Sequence, residues 1–578
     1  MNRSKSVANP LKSLSLIVLI ALFSTLVAAC GDPGWPPELT KDQSNALFAS
    51  IRAYIEEKPA QWPNIEAAGY ILSAYDGRGD RVAIAGKTLS EAADMLKSRL
   101  AKNGYAEYYL VVNIIRDVDG FVVGFLASNG FGYEKGQQGI AYKSGDQVRL
   151  YDPTYVASHD WEFGKTSEQL EKGHGIDGRK LDLPNGLSLL TCESYTEPEP
   201  GKEPLAMFRA NVLVEKVDLP LIRQTIRIGA DQLLELQQSS GRFAYTYHVG
   251  NDRMNTRTYN LLRHAGTCYA LFQVYEYTGD ERYLQAAKHG MKWLRKRIKS
   301  PEWDRNRAYP VYHNKAKLGG AALSLMAYCQ WMKVDPEFND APIMHKLANH
   351  VIKMQNDDGS FESYYAWDGK PVKRRHSIYY PGESILGLIR YYKLFPEKEN
   401  ALATAIRGSD YLVDKRWMIA GIEVNVPPDA WLMMALHELW QVNKKESYKE
   451  YCLRIADVMA SDQVIRFVPD ADYFGGYFPF PPQVTPAGSR SEGLTGAYLM
   501  TMEAGQEKTW LFDTVMRGAR FQISMQIRPE FDHLFPNPKV ALGTFRHNPQ
   551  RNINRIDYNQ HNISGLIALA RILEAKKQ

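Results

Sequence analysis

Six short stretches decide how this chain folds: Arg263-His264-Ala265-Gly266-Thr267, Lys317-Leu318-Gly319-Gly320-Ala321, Tyr380-Pro381-Gly382-Glu383-Ser384, Pro428-Asp429-Ala430-Trp431, Arg490-Ser491-Glu492-Gly493-Leu494 and Gln560-His561-Asn562-Ile563-Ser564. Each opens an apolar helix rich in small residues, and the unit recurs roughly every 50–70 residues. Amphipathic helices alternate with them. In the first, Asp218 serves as cap with Pro220 in the first turn, and Ile222, Ile226, Gly229, Leu233 and Leu236 form one apolar face. The amphipathic helices also end alike, Gln237-Gln238-Ser239-Ser240-Gly241-Arg242-Phe243 being echoed by Gln355-Asn356-Asp357-Asp358-Gly359-Ser360-Phe361. Apolar helices that use Gly and Ala for close approach predict an inner ring, with the amphipathic helices as its sheath. A superhelical solenoid is the alternative, but solenoid repeats are shorter and more uniform.

The predicted ring, residues 217–578, resembles the (α/α)6 toroid of six-hairpin glycosidase-like, carbohydrate-active enzymes. Before it, residues 45–216 alternate in short segments. Tyr109 to Ile115 reads as a buried strand and Gly139 to Leu150 as a hairpin turning at Ser144-Gly145-Asp146. Thr88-Leu89-Ser90-Glu91 starts a helix that Gly104 stops, Ala206 to Val217 reads as a last strand, and Lys165 to Gly175 as a solvated loop. The fold class is therefore mainly α, a toroid of six helix pairs preceded by a smaller α+β domain. That smaller domain shows no catalytic constellation.

The chain starts with a secretion signal. Arg3, Lys5 and Lys12 precede an apolar run from Leu14 to Ala29. Val27-Ala28-Ala29-Cys30 resembles the lipobox of bacterial lipoproteins. The resemblance implies a signal peptide over 1–29, a lipidated Cys30 and a tether over 30–44 that holds the protein to a lipid bilayer at the cell envelope. Gly31 after the cysteine points, by resemblance to enteric lipoproteins, to the outer membrane, facing the periplasm or the exterior. An ordinary signal or anchor helix is the alternative. Cys192, Cys268, Cys329 and Cys452 have small or apolar neighbours and read as buried thiols; a zinc site on His264 and Cys268 is the sharper but weaker reading.

The chain has 578 residues, 70 Lys+Arg against 65 Asp+Glu and 44% hydrophobic residues, so a sizeable core is assured and disorder excluded. The net charge of +5 is spread along the chain, which leaves nucleic-acid binding without an electrostatic footprint. No metal or cofactor is predicted.

If all six inner helices run the same way, their polar N-terminal residues converge on one funnel. These are Arg263, His264, Glu383, Asp429, Arg490, Glu492, Asp557, Gln560 and His561. Helix N-termini there favour an anionic ligand. Tyrosines precede the inner helices, among them Tyr245, Tyr364 and Tyr477, and aromatic faces suit sugar rings. Asn554-Arg555-Ile556-Asp557-Tyr558-Asn559-Gln560-His561 is similar to the Arg-x-Asp-Tyr segment of glucuronyl C5-epimerases. That resemblance implies a proton-transfer role for Tyr558, although the histidine spacing differs.

Two chemistries fit. Hydrolysis of a glycosidic bond needs two carboxyl groups, for which Glu383, Asp429 and Glu492 are candidates. Proton abstraction beside a uronic acid carboxylate, as in an epimerase or lyase, needs a base such as Tyr558, Glu383 or His561 and a cation such as Arg263 or Arg490. His264, Asp557, Gln560, Tyr245 and Tyr477 would bind substrate, an acidic polysaccharide or oligosaccharide. A non-catalytic lipoprotein holding a polysaccharide for export or envelope attachment is the alternative. An isoprenoid cyclase lacks its acid clusters here, and a lanthionine cyclase its clustered zinc ligands.

Overall fold

The computed structural model describes residues 39–120, 133–313, 316–372, 376–415, 426–466, 468 and 470–577. The predicted signal peptide and Cys30 lie outside the described residues. The predicted tether ends sooner than expected. Thr40 and Gln43 form a capping box that starts helix α1 (Lys41–Ile55), so residues 41–44 belong to a helix whose Leu47, Phe48 and Ile51 are buried.

The sheet-rich N-terminal region follows. Strands β1 (Gly69–Tyr75), β2 (Arg81–Gly86), β3 (Tyr109–Gly120), β4 (Gln138–Ser144), β5 (Gln147–Tyr151), β6 (Ile176–Asp177), β7 (Gly186–Thr196) and β8 (Leu205–Met207) form one antiparallel sheet in the order β2-β1-β3-β7-β4-β5-β6, with β8 on β7. Helix α2 (Leu89–Asn103) begins at its Thr88 cap and ends at left-handed Gly104, as its sequence predicts. Together α1 and α2 cover one face of the sheet. Two shorter helices, α3 (Pro153–Ser158) and α4 (Phe163–Glu171), sit over β4 and β5. Residues 165–171 are thus helical and not a loop, because Phe163, Thr166, Ser167 and Leu170 make a buried stripe at helical spacing. The expected last strand shrinks to three residues, since Arg209 and Ala210 turn the chain in the left-handed region, at φ 53° each.

From Leu219 the chain is the predicted ring. Inner helices α6 (Leu261–Thr278), α8 (Leu318–Val334), α10 (Tyr380–Leu394), α12 (Ala430–Trp440), α14 (Val484–Glu503) and α17 (Ile556–Ala575) pack side by side, and α17 returns against α6 to close the circle. Outer helices are α5 (Leu219–Glu235), α7 (Glu281–Arg295), α9 (Ala341–Lys353), α11 (Glu399–Asp414), α13 (Glu446–Ser461) and α15 (Thr509–Ser524); α16 (Pro538–Ala541) is a single turn in the last loop. Each of the first five inner helices leads by a short link to the outer helix packed on it, Gly279 and Asp280 being the whole of the first link. The first outer helix, α5, packs instead on the last inner helix, α17. Asn559 donates to the Gly229 carbonyl and to Gln232, and Arg223 pairs with Glu574, so the two ends of the ring domain fasten each other.

The repeat noted at Gln237 and Gln355 occurs twice more. Gln237, Gln355, Gln463 and Gln526 each follow an outer helix and bridge to Phe243, Phe361, Tyr477 and Phe545. Each Nε2 donates into the next outer helix, to the carbonyls of Ala286, Thr404, Thr514 and Thr225 at 2.9–3.0 Å. Left-handed Gly241, Gly359, Gly475 and Gly543 let the turn lie on the backbone of that helix, where a Cβ would collide with a carbonyl oxygen.

Candidate functional site

Because inner-to-outer links are short, every long loop lies at the end where the inner helices begin. The sheet-rich region packs on three of these loops. His533 stacks on Tyr109 at 4.2 Å and bonds Thr196, Asn552 Nδ2 donates to the Ala157 carbonyl, and Arg209 pairs with Asp472 at 2.9 Å. Gly250 also meets the His159 backbone. Thr246–His248 pairs with Ile553–Arg555 just beside these contacts, which fixes Tyr245 and Arg555 at the mouth of the ring.

Glycines set the level of the polar residues. A Cβ at Gly319, Gly382, Gly493, Gly488 or Gly266 would lie under 3 Å from Glu383, Leu432, Ala430, Asn562 or Gln560 respectively. Consecutive inner helices therefore touch at one tier, and Glu383, Asp429, Glu492, Gln560 and His561 all lie at or beside it.

Glu383 stands in the first turn of α10 and is buried, with no hydrogen-bond partner for Oε2 among the described residues. Burial first, and then the negative charge of Asp429, push its carboxyl up to about 8, with Lys317 opposing. It is protonated at neutral pH. Arg390, seven residues on and so on the same face, crosses the ring to Tyr269 OH at 2.7 Å and binds Glu438 at 2.8 Å. Glu383 consequently faces the axis. Further along the inner helices Ser564 Oγ donates to Gln273, and Gln330 and Arg571 donate to Glu276.

Glu492 Oε2 lies 2.6 Å from His561 Nδ1, with Trp431 edge-on to the imidazole at 5.7 Å. Burial raises the Glu492 carboxyl, while His561 and Arg390 oppose that shift. The other ring nitrogen of His561 makes no hydrogen bond among the described residues, and the side chain keeps 12% exposure. This is a carboxylate-oriented histidine, a pattern suited to a general base.

On the neighbouring arc Arg263 binds Asp557 at 3.0 Å and Tyr245 OH, and Arg555 binds Asp557 bidentately at 2.5 and 2.8 Å. Burial pushes Asp557 up, but the two arginines outweigh it and hold the group below the usual carboxylate range. Arg263 remains 28% exposed and has charge to offer a ligand. Tyr558 OH bonds His547 Nδ1 at 2.8 Å, and the Arg555 guanidinium lies over the Tyr558 ring at 4.7 Å. Burial raises the phenol, Arg555 opposing, which makes Tyr558 a poor base. A cleft of about 300 Å³ opens beside Glu383, between Tyr259, Tyr312 and Leu262, with Arg257 and Lys317 as its cations and His313 also in its wall.

Five further expected roles change. His264 is wholly buried, its Nδ1 on Tyr259 OH and its Nε2 on the Gly290 carbonyl; burial lowers it to about 4. It is a core residue that points to the outer ring, and neither nitrogen is left for zinc. Tyr477 is the buried aromatic of the third Gln staple. Arg490 lies over the Tyr477 ring at 4.6 Å and pairs with Asp462 at the end of α13, so it also points outward. Asp429 is fully buried and caps α12 through Leu432 N–H, while Glu492 is bound to His561, so neither stands as an independent hydrolytic carboxylate. Arg390, Tyr269, His547 and Lys317 were not foreseen as site residues. The spacing of seven from Glu383 to Arg390 is the one signal the sequence carried.

No protein-family model matches this chain, and no curated protein matches it. Among solved structures the chain is similar to a D-mannose isomerase, at 12% identity over 62% of this chain and 100% of that one with TM-score 0.48. It is also similar to the cellobiose 2-epimerase of Bacillus thermoamylovorans B4167, at 11% over 61% and 99% with TM-score 0.49. A third is an unsaturated glucuronyl hydrolase specific for heparin, at 11% over 62% and 99% with TM-score 0.45.

Proposed function

We propose that this protein is a carbohydrate-active enzyme that transfers protons at carbon in an acidic, uronic-acid-containing glycan, as a C5-epimerase or lyase does. The observation that carries this reading is the shared tier of buried, protonated Glu383 and the His561–Glu492 pair. Hydrolysis is disfavoured because Glu492 is bound to His561 and Asp429 caps a helix.

The substrate carboxylate meets Arg263 and the cations of the cleft. The free nitrogen of His561 takes the proton alpha to that carboxylate, and the C–H electron pair moves into the carboxylate as an enolate. Glu492 stabilises the imidazolium, and Arg263 the added negative charge. Glu383 then gives its proton to the opposite face of the carbon, which inverts it. Solvent afterwards removes the proton from His561 and restores that of Glu383. In a lyase the leaving oxygen would depart instead, leaving an unsaturated product.

We further propose that Cys30 is lipidated and holds the enzyme at the cell envelope, in the outer membrane. Metabolic labelling with palmitate, lost in Cys30→Ser, tests that part. Incubation of the protein begun after Cys30 with heparosan, alginate and polygalacturonate in heavy water tests the chemistry. Deuterium at C5, or unsaturated ends, is expected and must disappear in His561→Asn. New reducing ends without either would make it a hydrolase, and binding without turnover a carrier of polysaccharide for export or envelope attachment.

A further inference from the structure

Large exposed hydrophobic side chains are unevenly placed. Of the ten among the described residues, eight lie in the long loops at the mouth: Met254, Trp303, Trp367, Ile378, Tyr379, Ile465, Phe478 and Phe480. Every aromatic in that set is on the mouth side. Scattered singly, such residues need no explanation; gathered at the mouth of the ring, they do.

Trp303 and Trp367 are the two most deliberately built. They are 51% and 67% exposed, yet their backbone is immobilised from below. Trp303 Nε1 donates to the Asp368 carbonyl at 2.7 Å, which puts the two indoles on adjacent loops of one patch of rim. Buried Arg307 lies under the Trp303 ring at 5.0 Å, donates to the Gly369 carbonyl at 3.2 Å and to His350 at 3.0 Å, and leaves its Nε without a partner. Left-handed Gly369 presses on the Tyr309 ring, and Tyr309 OH holds the Trp367 carbonyl at 2.8 Å. A buried guanidinium with an unsatisfied donor lowers stability, so its presence points to the platform it supports. The platform is tied to the site. Tyr365, edge-on to Tyr309 at 4.9 Å, donates to the Lys317 carbonyl, one residue before the helix whose Gly319 touches Glu383.

We infer that Trp303 and Trp367 form a remote glycan-stacking subsite, so that the substrate is a polymer running from the Glu383 cleft across this stretch of rim. This rests on the reading of the site as glycan-active. Rigid, flat indole faces match the apolar faces of sugar rings. Their neighbours Glu302, Asp304 and Asp368 are acceptors for sugar hydroxyls, and Arg305 and Lys370 bring positive charge to the same stretch of rim for the carboxylates of an acidic chain. The link through Tyr365 and Lys317 to the tier that holds Glu383 selects a saccharide chain over a membrane surface.

The test compares wild type with Trp303→Ala, Trp367→Ala and the double variant, on heparosan, alginate and polygalacturonate and on disaccharides cut from each. Affinity, read by calorimetry, should fall about 3- to 10-fold per substitution for a polymer and stay unchanged for its disaccharide. Thermal melting should be unaltered in Trp367→Ala, whose indole is exposed, whereas Trp303→Ala also gives up its bond to Asp368 and its cover of Arg307 and should melt somewhat lower. Equal losses on polymer and disaccharide, no loss on either, or no polymer bound by wild type would overturn the subsite. So would tryptophan-dependent binding to phosphatidylglycerol vesicles in place of glycan. Tryptophan-dependent polymer binding without any turnover would leave the subsite standing and remove the catalytic reading instead.

Discussion

Glu383 is pressed against Gly319, so that a methyl group at residue 319 would overlap its Oε2. The missing side chain on α8 is what gives the carboxyl of α10 its place at the tier between helices. Gly319→Ala should therefore remove most turnover by displacing Glu383, while circular dichroism reports an intact ring. Full activity in that variant would show that the position of Glu383 is not used.

The proton on Glu383 has a signature in pH. As an acid with its carboxyl raised to about 8, it supports turnover below that pH and loses it above. Stability has the same origin and a definite sign. Above pH 4.5 the unfolded chain gives up this proton and the folded one keeps it, so from about pH 4.5 to 8 this group makes stability fall as pH rises, by about 1.4 kcal/mol per unit at most. Glu383→Gln should abolish turnover, raise the melting temperature near pH 8 and flatten its pH dependence.

His561 and Glu492 should behave as one unit. His561→Asn is expected to abolish exchange, and Glu492→Gln to lower the catalytic rate about 10²- to 10³-fold with KM little changed. A Glu492→Gln enzyme that keeps its rate would reduce Glu492 to a packing residue.

Arg263 is held by Asp557 and Tyr245 yet open to ligand. Arg263→Ala should raise KM for an acidic glycan about tenfold, and the penalty should shrink with added salt as the lost ion pair is screened. Arg490→Ala should leave KM unchanged, because that guanidinium points away from the funnel.

The closure of the ring rests partly on Gln526, which reaches the Thr225 carbonyl on the first outer helix. Gln526→Ala leaves buried carbonyls unpaired and should lower unfolding free energy by about 1–3 kcal/mol in denaturant titration. Because α5 packs on α17, removing either helix should unfold the whole ring rather than one repeat.

Period and composition by themselves determined the ring. A helix buried all round needs neighbours on every side, and six such helices with small residues at their starts close upon themselves. That local pattern also put Glu383, Glu492, His561, Asp557 and Arg263 at one end, since a common direction follows from the alternation. It could not determine the direction of each side chain. His264 and Arg490 look like rim residues because they begin inner helices, but a rotation of about 100° per residue separates the axis from the outer ring. Only tertiary packing assigns the two. Arg390, two turns below Glu383, drew no notice because what marks it is a bond to Tyr269 across the ring. Nor could the Trp303–Trp367 platform be read from the chain, since its parts are 64 positions apart and meet through a main-chain carbonyl that no sequence pattern encodes.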